Sequence, residues 1–401
     1  SCPSLETERP MHVEYTAAQA ALRSEFRAYL AGLMSPEERE QLSHNREGGE
    51  LYRTVIRRMG EAGWLTPGWP VEYGGRALDP LAQKILLEEL WLAETPFPFV
   101  TVNTIGPALI RRGTAEQKRE FLPRIARGEI TFAVGYTEPT AGSDLASLKT
   151  RAERDGDHFI INGQKIFTSG AQSADYVWLA ARTDPNAPPH KGITLFVMDT
   201  RLPGFSVTPI HTVGGVRTNV TFYENVRVPA AMIFGELNGG WRLITEQLNH
   251  ERVGLAALAY GAMGCFDQTV EWARTTPAAE GGRVIDRPWA QLALAEAYVV
   301  LQANAVLGNR VAWEISRESV RPELASACKV FGTESYIKVL QLLLDVVGCA
   351  GLVKQGSPGA RLQGRLEREW RMCQINTFGG GAVEVLRDMV ATMGLGQPRG
   401  R

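Results

Sequence analysis

The chain has 401 residues, of which 44% are hydrophobic and 22% charged, and its formal net charge is −1. This length predicts two or three packed domains, and the near-neutral charge gives no indication of a nucleic acid or an anionic membrane as partner. No uninterrupted apolar run approaches the roughly 18 residues that span a bilayer, so we expect no membrane span. The five cysteines are scattered and lack metal-ligand spacing. We therefore expect a cytoplasmic protein with reduced thiols and no metal site.

The first part of the chain predicts helices. Residues 1–10 show no periodicity and precede Met11, so we interpret them as a leader outside the fold. Apolar residues then recur at three- and four-residue spacing, first before Ser35-Pro36 and again after Pro80, which is typical of amphipathic helices. The Pro- and Gly-rich stretch 64–75 predicts a loop. We therefore expect an N-terminal α-helical domain over residues 11–130.

The pattern changes from period 3.6 to period 2 near Ile130. Short β-branched and aromatic runs separated by turn residues predict a middle antiparallel β domain, a sandwich or barrel, over residues 131–238. Helical periodicity returns afterwards and predicts a C-terminal helical domain, a four-helix bundle, over residues 239–401. The fold class is thus α+β, and a Rossmann fold is excluded because neither βαβ alternation nor a G-x-G-x-x-G motif is present.

Two segments of the middle domain favour a cofactor site. The first, GYTEPTAGSDLASLKT at 135–150, combines flexible Gly142 with the hydroxyls of Thr137 and Ser143, so it can direct donors at a planar ring or a pyrophosphate. The second, INGQKIFTSGA at 161–171, places Phe167 and Ser169 at a strand end. Taken singly, the first is equally typical of a polar turn at a sheet edge, and a lone aromatic is more often part of a core.

Together, the two segments and the α–β–α order resemble the acyl-CoA dehydrogenase family, from about Met11 to the C-terminus. The resemblance implies that FAD is the cofactor and that Thr137 and Ser169 hydrogen-bond the flavin ring while Phe167 packs against it. It places Ser143 near phosphate and pantetheine groups. The remaining residues that we expect to bind FAD are Tyr136, Gly142, Thr168, Gly380 and Gly381. The family usually has Trp at position 167 and Gly at 140, where this chain has Phe and Thr. Phe retains a stacking face.

The catalytic base must be a carboxylate that removes the α-proton of an acyl-CoA thioester. Many family members carry this Glu near the C-terminus, but the matching position here is Gly380. Glu251, in contrast, falls in the apolar stripe of the helical segment 239–264, where burial raises the pKa of a carboxylate and strengthens it as a base. From the residues alone, a structural Glu251 bridged to Arg252 or another cation is also open. A branch of the family carries its base in a Glu-Arg pair here, which implies that Glu251 is the base and Arg252 orients the carboxylate or the thioester.

The segments with which the family holds the adenosine half of a neighbouring chain's FAD are not intact. Asp345 stands where Gln is expected, Cys349 replaces one Gly, and Ala382 replaces the usual Thr. We therefore expect a second, related chain to complete the site. The segments QLNHERV, KVFGTE and TFGGG resemble actinobacterial steroid side-chain acyl-CoA dehydrogenases, which are α2β2 heterotetramers. The small residues at 254, 256, 257 and 379–381 agree with a bulky steroid acyl-CoA substrate, although such residues also serve ordinary packing.

Several rival interpretations stay open at this point. The three rivals are a non-catalytic assembly subunit, a dehydrogenase of ordinary fatty or branched acyl-CoA, and a relative that uses reduced flavin and oxygen. The presence of Glu251, Thr137 and Ser169 favours a dehydrogenase that delivers its electrons to an electron-transferring flavoprotein, as the resemblance implies.

Overall fold

The structure is a computed structural model. It describes residues 15–44, 48–255, 259–317 and 321–398, and for residues 44, 248–255 and 259 it describes the backbone alone. The expected leader, residues 1–10, lies outside the described residues.

The described N-terminal part is helical, as predicted. A capping box marks the start of the first helix, because the Thr16 hydroxyl accepts from the Gln19 N–H and the Gln19 side chain accepts from the Thr16 N–H. The six helices are α1 (Ala17–Leu33), α2 (Pro36–His44), α3 (Glu50–Glu61), α4 (Pro80–Leu92), α5 (Gly106–Arg112) and α6 (Ala115–Ala126). The α1 residues Phe26, Leu30 and Leu33 are buried, so the predicted stripe faces the core.

The stretch 64–75 is not an ordinary surface loop. Trp64 and Trp69 are buried, and the Trp69 indole donates to the Val102 carbonyl at 3.2 Å. The prediction of a loop is confirmed apart from a single 3₁₀ turn, Val71–Tyr73. Its two tryptophans nevertheless belong to the core that the N-terminal helices share with the sheet.

The middle part forms one eight-stranded sheet. Its path is β6-β7-β3-β2-β4-β5-β8, with β1 beside β4. The strands are β1 (Phe132–Gly135), β2 (Arg151–Asp155), β3 (His158–Ile166), β4 (Tyr176–Arg182), β5 (Ile193–Asp199), β6 (Phe205–His211), β7 (Arg217–Pro229) and β8 (Ile233–Phe234). Most pairings are antiparallel, as expected, but β1 and β2 run parallel to β4. These parallel pairs join strands that are distant in sequence, which periodicity does not reveal.

The C-terminal part is again helical. Its helices are α7 (Gly240–Leu255), α8 (Ala259–Thr275), α9 (Pro288–Ser316), α10 (Pro322–Val347), α11 (Arg365–Cys373) and α12 (Val383–Met389). Helix α10 contacts α7, α8 and α9, so these four long helices form the expected bundle. A second apolar core lies between α8, α9, α10 and α11. The α+β fold class is confirmed.

Two helices of this bundle bear on the expectation of no membrane span. By length and composition, Pro288–Ser316 and Pro322–Leu352 are apolar enough to cross a bilayer. Polar residues interrupt the apolar sequence of both helices, so neither contains an uninterrupted apolar run of that length, yet their mean hydropathy over 18 residues is high. Core helices of globular proteins meet the same criterion, and half of the window in the second helix is buried by its neighbours.

Candidate functional site

The two motif segments lie side by side in the structure. Strand β1 ends at Gly135 and β3 ends at Ile166, and the Ile166 N–H donates to the Thr137 carbonyl at 2.8 Å. This bond brings Thr137 next to the turn that carries Phe167 and Ser169. The sheet therefore joins three of the predicted flavin-binding residues that are some thirty positions apart in sequence.

Phe167 has an unusual backbone. Its φ is 60°, in the left-handed region that a bulky residue occupies only at a cost of about 1–3 kcal/mol. The ring is also 57% exposed, so burial in this chain does not compensate the strain. A strained and exposed aromatic beside polar groups is the arrangement expected where a planar ligand packs.

Ser169 and Thr168 differ in the direction of their side chains. Ser169 is exposed, and its hydroxyl lies 3.0 Å from the Thr218 hydroxyl of β7. Thr168, in contrast, is buried with its hydroxyl 3.3 Å from that of Thr221, and its backbone N–H and C=O bond Asn219. Thr168 thus braces the turn from inside the sheet, and its hydroxyl is not available to a ligand at the surface.

Tyr136 also lies behind the exposed face. Its buried hydroxyl donates to Gln247 Oε1 at 2.7 Å and accepts from the Trp178 indole at 3.1 Å. This contact joins β1 to helix α7. A contact between Tyr136 and a flavin would therefore involve its backbone or ring edge, since the hydroxyl is already engaged.

A buried ion pair supports the first motif segment, and sequence reasoning missed it. Lys165 Nζ is completely buried and donates to Glu138 Oε1 at 2.8 Å and to the Tyr136 carbonyl at 3.0 Å. Glu138 also accepts from the backbone N–H groups of Lys149 and Thr150. The available signal was alternation, because Lys165 occupies an inward position of β3, in phase with Phe159 and Ile161.

Both members of this pair have perturbed pKa values. For Glu138, burial by itself would raise the pKa, but the charge and hydrogen bond of Lys165 and the two backbone donors lower it below its ordinary value. For Lys165, burial lowers the pKa to about 8, against the opposing effect of Glu138. The pair is therefore charged at neutral pH.

Gly142 and Ser143 occupy the exposed tip of the loop that Glu138 anchors. The loop opens with a tight turn in which Glu138 and Ala141 exchange backbone hydrogen bonds. A Cβ at Gly142 would approach no described atom closer than 3.9 Å. The position is thus open to solvent, and internal packing does not account for the glycine.

The segment around Gly380 and Gly381 has its own buried anchor. Both glycines have positive φ, at 70° and 108°. Lys329 of α10 is buried, and its ammonium group donates to the carbonyls of Asn376, Gly379 and Gly381 at 2.7–2.9 Å. Sequence reasoning noted the segment KVFGTE without assigning this role to its lysine.

Helix α7 carries the predicted base. The side chains of Glu251 and Arg252 lie outside the described residues, while their backbones belong to α7. Ile244 and Gln247 of the same helix are buried. Positions four apart share one helical face, so Glu251 is placed one turn after the residue that bonds Tyr136.

Three family models match consecutive parts of the chain, in the same order as its helical, β and helical parts. The N-terminal, middle and C-terminal domain models of acyl-CoA dehydrogenase match residues 16–129, 133–226 and 238–395. The chain belongs to the acyl-CoA dehydrogenase family. It is therefore an oxidoreductase whose cofactor is FAD.

Individual relatives match over nearly the full length of the chain. Acyl-CoA dehydrogenase FadE26 of Mycobacterium tuberculosis (strain ATCC 25618 / H37Rv) is 47% identical, covering 97% of this chain and 99% of its own length. A solved "Tcur3481-Tcur3483 steroid ACAD" is 49% identical with a TM-score of 0.93, covering 97% of this chain and 100% of the other. The ChsE4-ChsE5 complex from Mycobacterium tuberculosis is 47% identical with a TM-score of 0.92 and the same coverage. This dehydrogenase is thus similar to chains of heteromeric complexes.

The described residues fit a flavin. The strained, exposed ring of Phe167 offers a stacking face, and Thr137 and Ser169 supply hydroxyls beside it. Gly142 leaves room for close approach of a phosphate. When bound, FAD supplies the chemistry of hydride acceptance from the β carbon of the substrate.

Two of the three positions that depart from the family's adenosine-binding segments are exposed, while the third, Ala382, is half-buried. Asp345 of α10 is exposed and accepts a hydrogen bond from Gln341, and Cys349 is exposed just after the helix. An exposed carboxylate at this place disfavours a pyrophosphate through like-charge repulsion.

Helix α9 presents an exposed apolar stripe. Leu292, Val299, Val306 and Trp313 are all exposed and follow one another at seven-residue spacing. A heptad spacing places them along one side of the helix, as in a helix that packs against another chain.

Proposed function

We propose that this dehydrogenase oxidises the Cα–Cβ bond of a bulky steroid side-chain acyl-CoA to the trans-2-enoyl-CoA in sterol catabolism. The carrying observation is the Tyr136–Gln247 hydrogen bond, because it sets the Glu251 turn of α7 against the strand that leads into the predicted flavin segment. The similarity to steroid acyl-CoA dehydrogenase complexes supports the choice of substrate.

In this proposal Glu251 removes the α-proton and Arg252 orients the carboxylate or the thioester. Thr137 and Ser169 hydrogen-bond the flavin ring, and Phe167 packs on it. The remaining proposed FAD contacts are Tyr136 and Thr168 from behind the ring, and Gly142, Ser143, Gly380 and Gly381. In this proposal the domains divide at residues 130 and 238, and the flavin lies between the β domain and the C-terminal bundle.

The variant Glu251→Gln tests the base. It should retain bound flavin but lose the bleaching of the flavin absorbance by acyl-CoA under anaerobic conditions, because the amide cannot accept the α-proton. Glu246→Gln is the matched control, since Glu246 lies on the same helix but pairs with Arg112 near the surface. Undiminished bleaching in Glu251→Gln would reject the assignment, whereas normal bleaching in Glu246→Gln is expected.

The assembly that we propose is an α2β2 heterotetramer with a second, related chain. The departures at Asp345 and Cys349 and the exposed stripe on α9 support it. The chain expressed alone should be poor in flavin, and co-expression with the related chain should restore about one FAD per pair. A homotetramer with one FAD per chain would contradict this proposal.

The steroid substrate is tested separately from the reaction. We expect a higher kcat/KM for a steroid side-chain acyl-CoA than for butyryl- or octanoyl-CoA; the reverse order would favour a dehydrogenase of ordinary fatty or branched acyl-CoA. A flavin-free chain that serves only assembly is the remaining alternative, and any bleaching by substrate excludes it. The proposed electron acceptor is an electron-transferring flavoprotein, and the proposed location is the cytoplasm.

A further inference from the structure

Three buried polar side chains meet where the sheet contacts helix α7. Tyr136 directly follows β1, Trp178 lies in β4 and Gln247 lies in α7, and each is more than nine-tenths buried. Strand β1 runs parallel to β4 with Val134 opposite Trp178, so Tyr136, two residues after Val134, is on the same face of the sheet as the indole. In so dry a place hydrogen bonds are strong, and they fix the side chains that make them.

The chemistry of the donors fixes the orientation of the Gln247 amide. An indole N–H can only donate, and that of Trp178 lies 3.1 Å from both the Tyr136 hydroxyl oxygen and Gln247 Oε1. The amide oxygen therefore faces the sheet, and the Tyr136 hydroxyl donates to it at 2.7 Å. The rings of Phe132 and Phe234 hold the indole in turn, with centroids 6.5 and 4.4 Å from its own. Gln247 thus binds a rigid part of the sheet.

A second contact fixes the start of the same helix. Gly240 is the first residue of α7, and a Cβ at this position would lie 2.9 Å from the Ile193 carbonyl oxygen of β5, so only glycine permits this close approach. Gly240, Ile244, Gln247 and Glu251 are spaced by four, three and four residues and therefore share one face of α7. The helix continues unbroken to position 255. Two fixed points, at 240 and 247, determine both its direction and its rotation just before the base.

The same contact fixes the flavin segment 135–150. Tyr136 directly precedes Thr137, whose carbonyl accepts from the Ile166 N–H at 2.8 Å beside the turn that carries Phe167. Helix α7 and the flavin segment therefore share one buried reference point. Removal of the α-proton and transfer of the β-hydride take place on adjacent carbons, so a displacement of about 1 Å between base and flavin can slow the reaction about a hundredfold.

We infer that Gln247 is a positioning residue for the dehydrogenation, whose amide sets the distance between the Glu251 turn of α7 and the flavin segment. The inference rests on the proposed function, in which Glu251 is the base, and adds the residue that holds this base in place. Gln247 acts through the helix and not by contact with the substrate.

The variant Gln247→Leu in the flavin-loaded complex tests this role. It removes the acceptor of both hydrogen bonds, so the rate constant of anaerobic flavin reduction at saturating acyl-CoA should fall at least about tenfold. The flavin content and the dissociation constant of the acyl-CoA should stay within about twofold, because the amide contacts neither molecule in this proposal.

Gln117→Leu is the matched control. It also replaces a buried glutamine that joins a helix to the sheet, since Gln117 of α6 donates to the Ile233 carbonyl of β8 at 2.7 Å. It should lower the melting temperature as Gln247→Leu does, yet change the rate constant of flavin reduction by no more than about twofold. A general loss of stability is thereby separated from a displaced base.

Gln247→Glu provides a readout that a merely structural role would not move. The carboxylate has the shape of the amide and can accept both hydrogen bonds, but it adds a negative charge one helical turn from Glu251. A neighbouring like charge raises the pKa of a carboxylate, and Glu251 must be ionised to accept the α-proton. The pH profile of flavin reduction should therefore shift to higher pH, and the rate constant at its upper limit should return to within about threefold of wild type.

The titratable groups described around this turn stay the same in these variants. The Tyr136 hydroxyl faces Gln247 from the sheet, while Glu246 of α7 pairs with Arg112 of α5 at 3.3 Å and with Arg242 at 3.9 Å. A shift of the pH profile in Gln247→Glu therefore reports the added carboxylate.

Two results overturn the inference while the proposed function stands. One is a rate constant in Gln247→Leu that falls no further than in Gln117→Leu, and the other is an unshifted pH profile in Gln247→Glu, which also serves as the test if Gln247→Leu folds poorly. Undiminished bleaching in Glu251→Gln, in contrast, rejects the base and with it the proposed function. The two failures are distinguishable because they are read from substitutions at different positions.

Discussion

Replacement of Lys165 by Met tests how the flavin segment is held in place. The substitution preserves most of the buried side-chain volume but removes the ammonium group that bonds Glu138 and the Tyr136 carbonyl. The Glu138 carboxylate then stays buried and keeps its hydrogen bonds from the backbone N–H groups of Lys149 and Thr150, at 2.6 and 2.8 Å.

Breaking a buried pair on one side costs about 3–5 kcal/mol. We expect the lower end, about 3 kcal/mol, because the two backbone donors still share the charge of Glu138. A loss of this size lowers the apparent melting temperature by roughly 6–12 °C for a domain of 150–250 residues. The double variant Lys165→Met/Glu138→Gln should melt higher than Lys165→Met, since it leaves no uncompensated charge.

The assay is thermal unfolding together with flavin content after dialysis, both measured on the complex co-expressed with the related chain, because the chain alone should be poor in flavin. Loss of the bond to the Tyr136 carbonyl frees the backbone next to Thr137, so Lys165→Met should also release flavin more readily than wild type. Lys149→Met is the matched control, because the Lys149 side chain is exposed and only its backbone N–H reaches Glu138. If Lys165→Met melts and retains flavin like Lys149→Met, the ion pair does not support the segment and the reasoning fails.

Three further predictions concern the same supports. Burial lowers the pKa of Lys165 from 10.5 to about 8, so between pH 8 and 10.5 the unfolded chain binds more protons than the folded chain. The free energy of unfolding should therefore rise with pH in this range, by up to about 1.4 kcal/mol per pH unit. Urea unfolding at several pH values should show this slope in wild type and not in Lys165→Met. Lys329→Met should destabilise the protein by about 2–4 kcal/mol and weaken flavin retention, because three carbonyls lose their common donor; exposed Lys338→Met should do neither. In the flavin-free state, the free energy of unfolding of Phe167→Gly should be about 1 kcal/mol higher than that of Phe167→Ala, since glycine accepts a φ of 60° without strain. Both variants should bind flavin more weakly than wild type. Equal stability of the two variants would contradict backbone strain at this position.

Helix α1 and Lys165 differ in how much of their environment a local sequence pattern records. Helix α1 was predictable because its stripe of Phe26, Leu30 and Leu33 repeats at helical spacing within one segment. Lys165, in contrast, reads as one more polar strand residue, since its partner Glu138 lies 27 positions away and only the sheet brings the two together. The same holds for Lys329, which reaches carbonyls about fifty positions downstream.

The sequence by itself determined the order of helical and β segments, the family and its cofactor, because these depend on local periodicity and on contiguous motifs such as 135–150. Only the tertiary structure decided that Thr168 faces inward, that Phe167 is strained and exposed, and that Gln247 of α7 bonds Tyr136 beside the flavin segment. These features depend on contacts between segments that are remote in sequence. The direction of a side chain at such a contact is set by the packing of the whole chain, which no local pattern records.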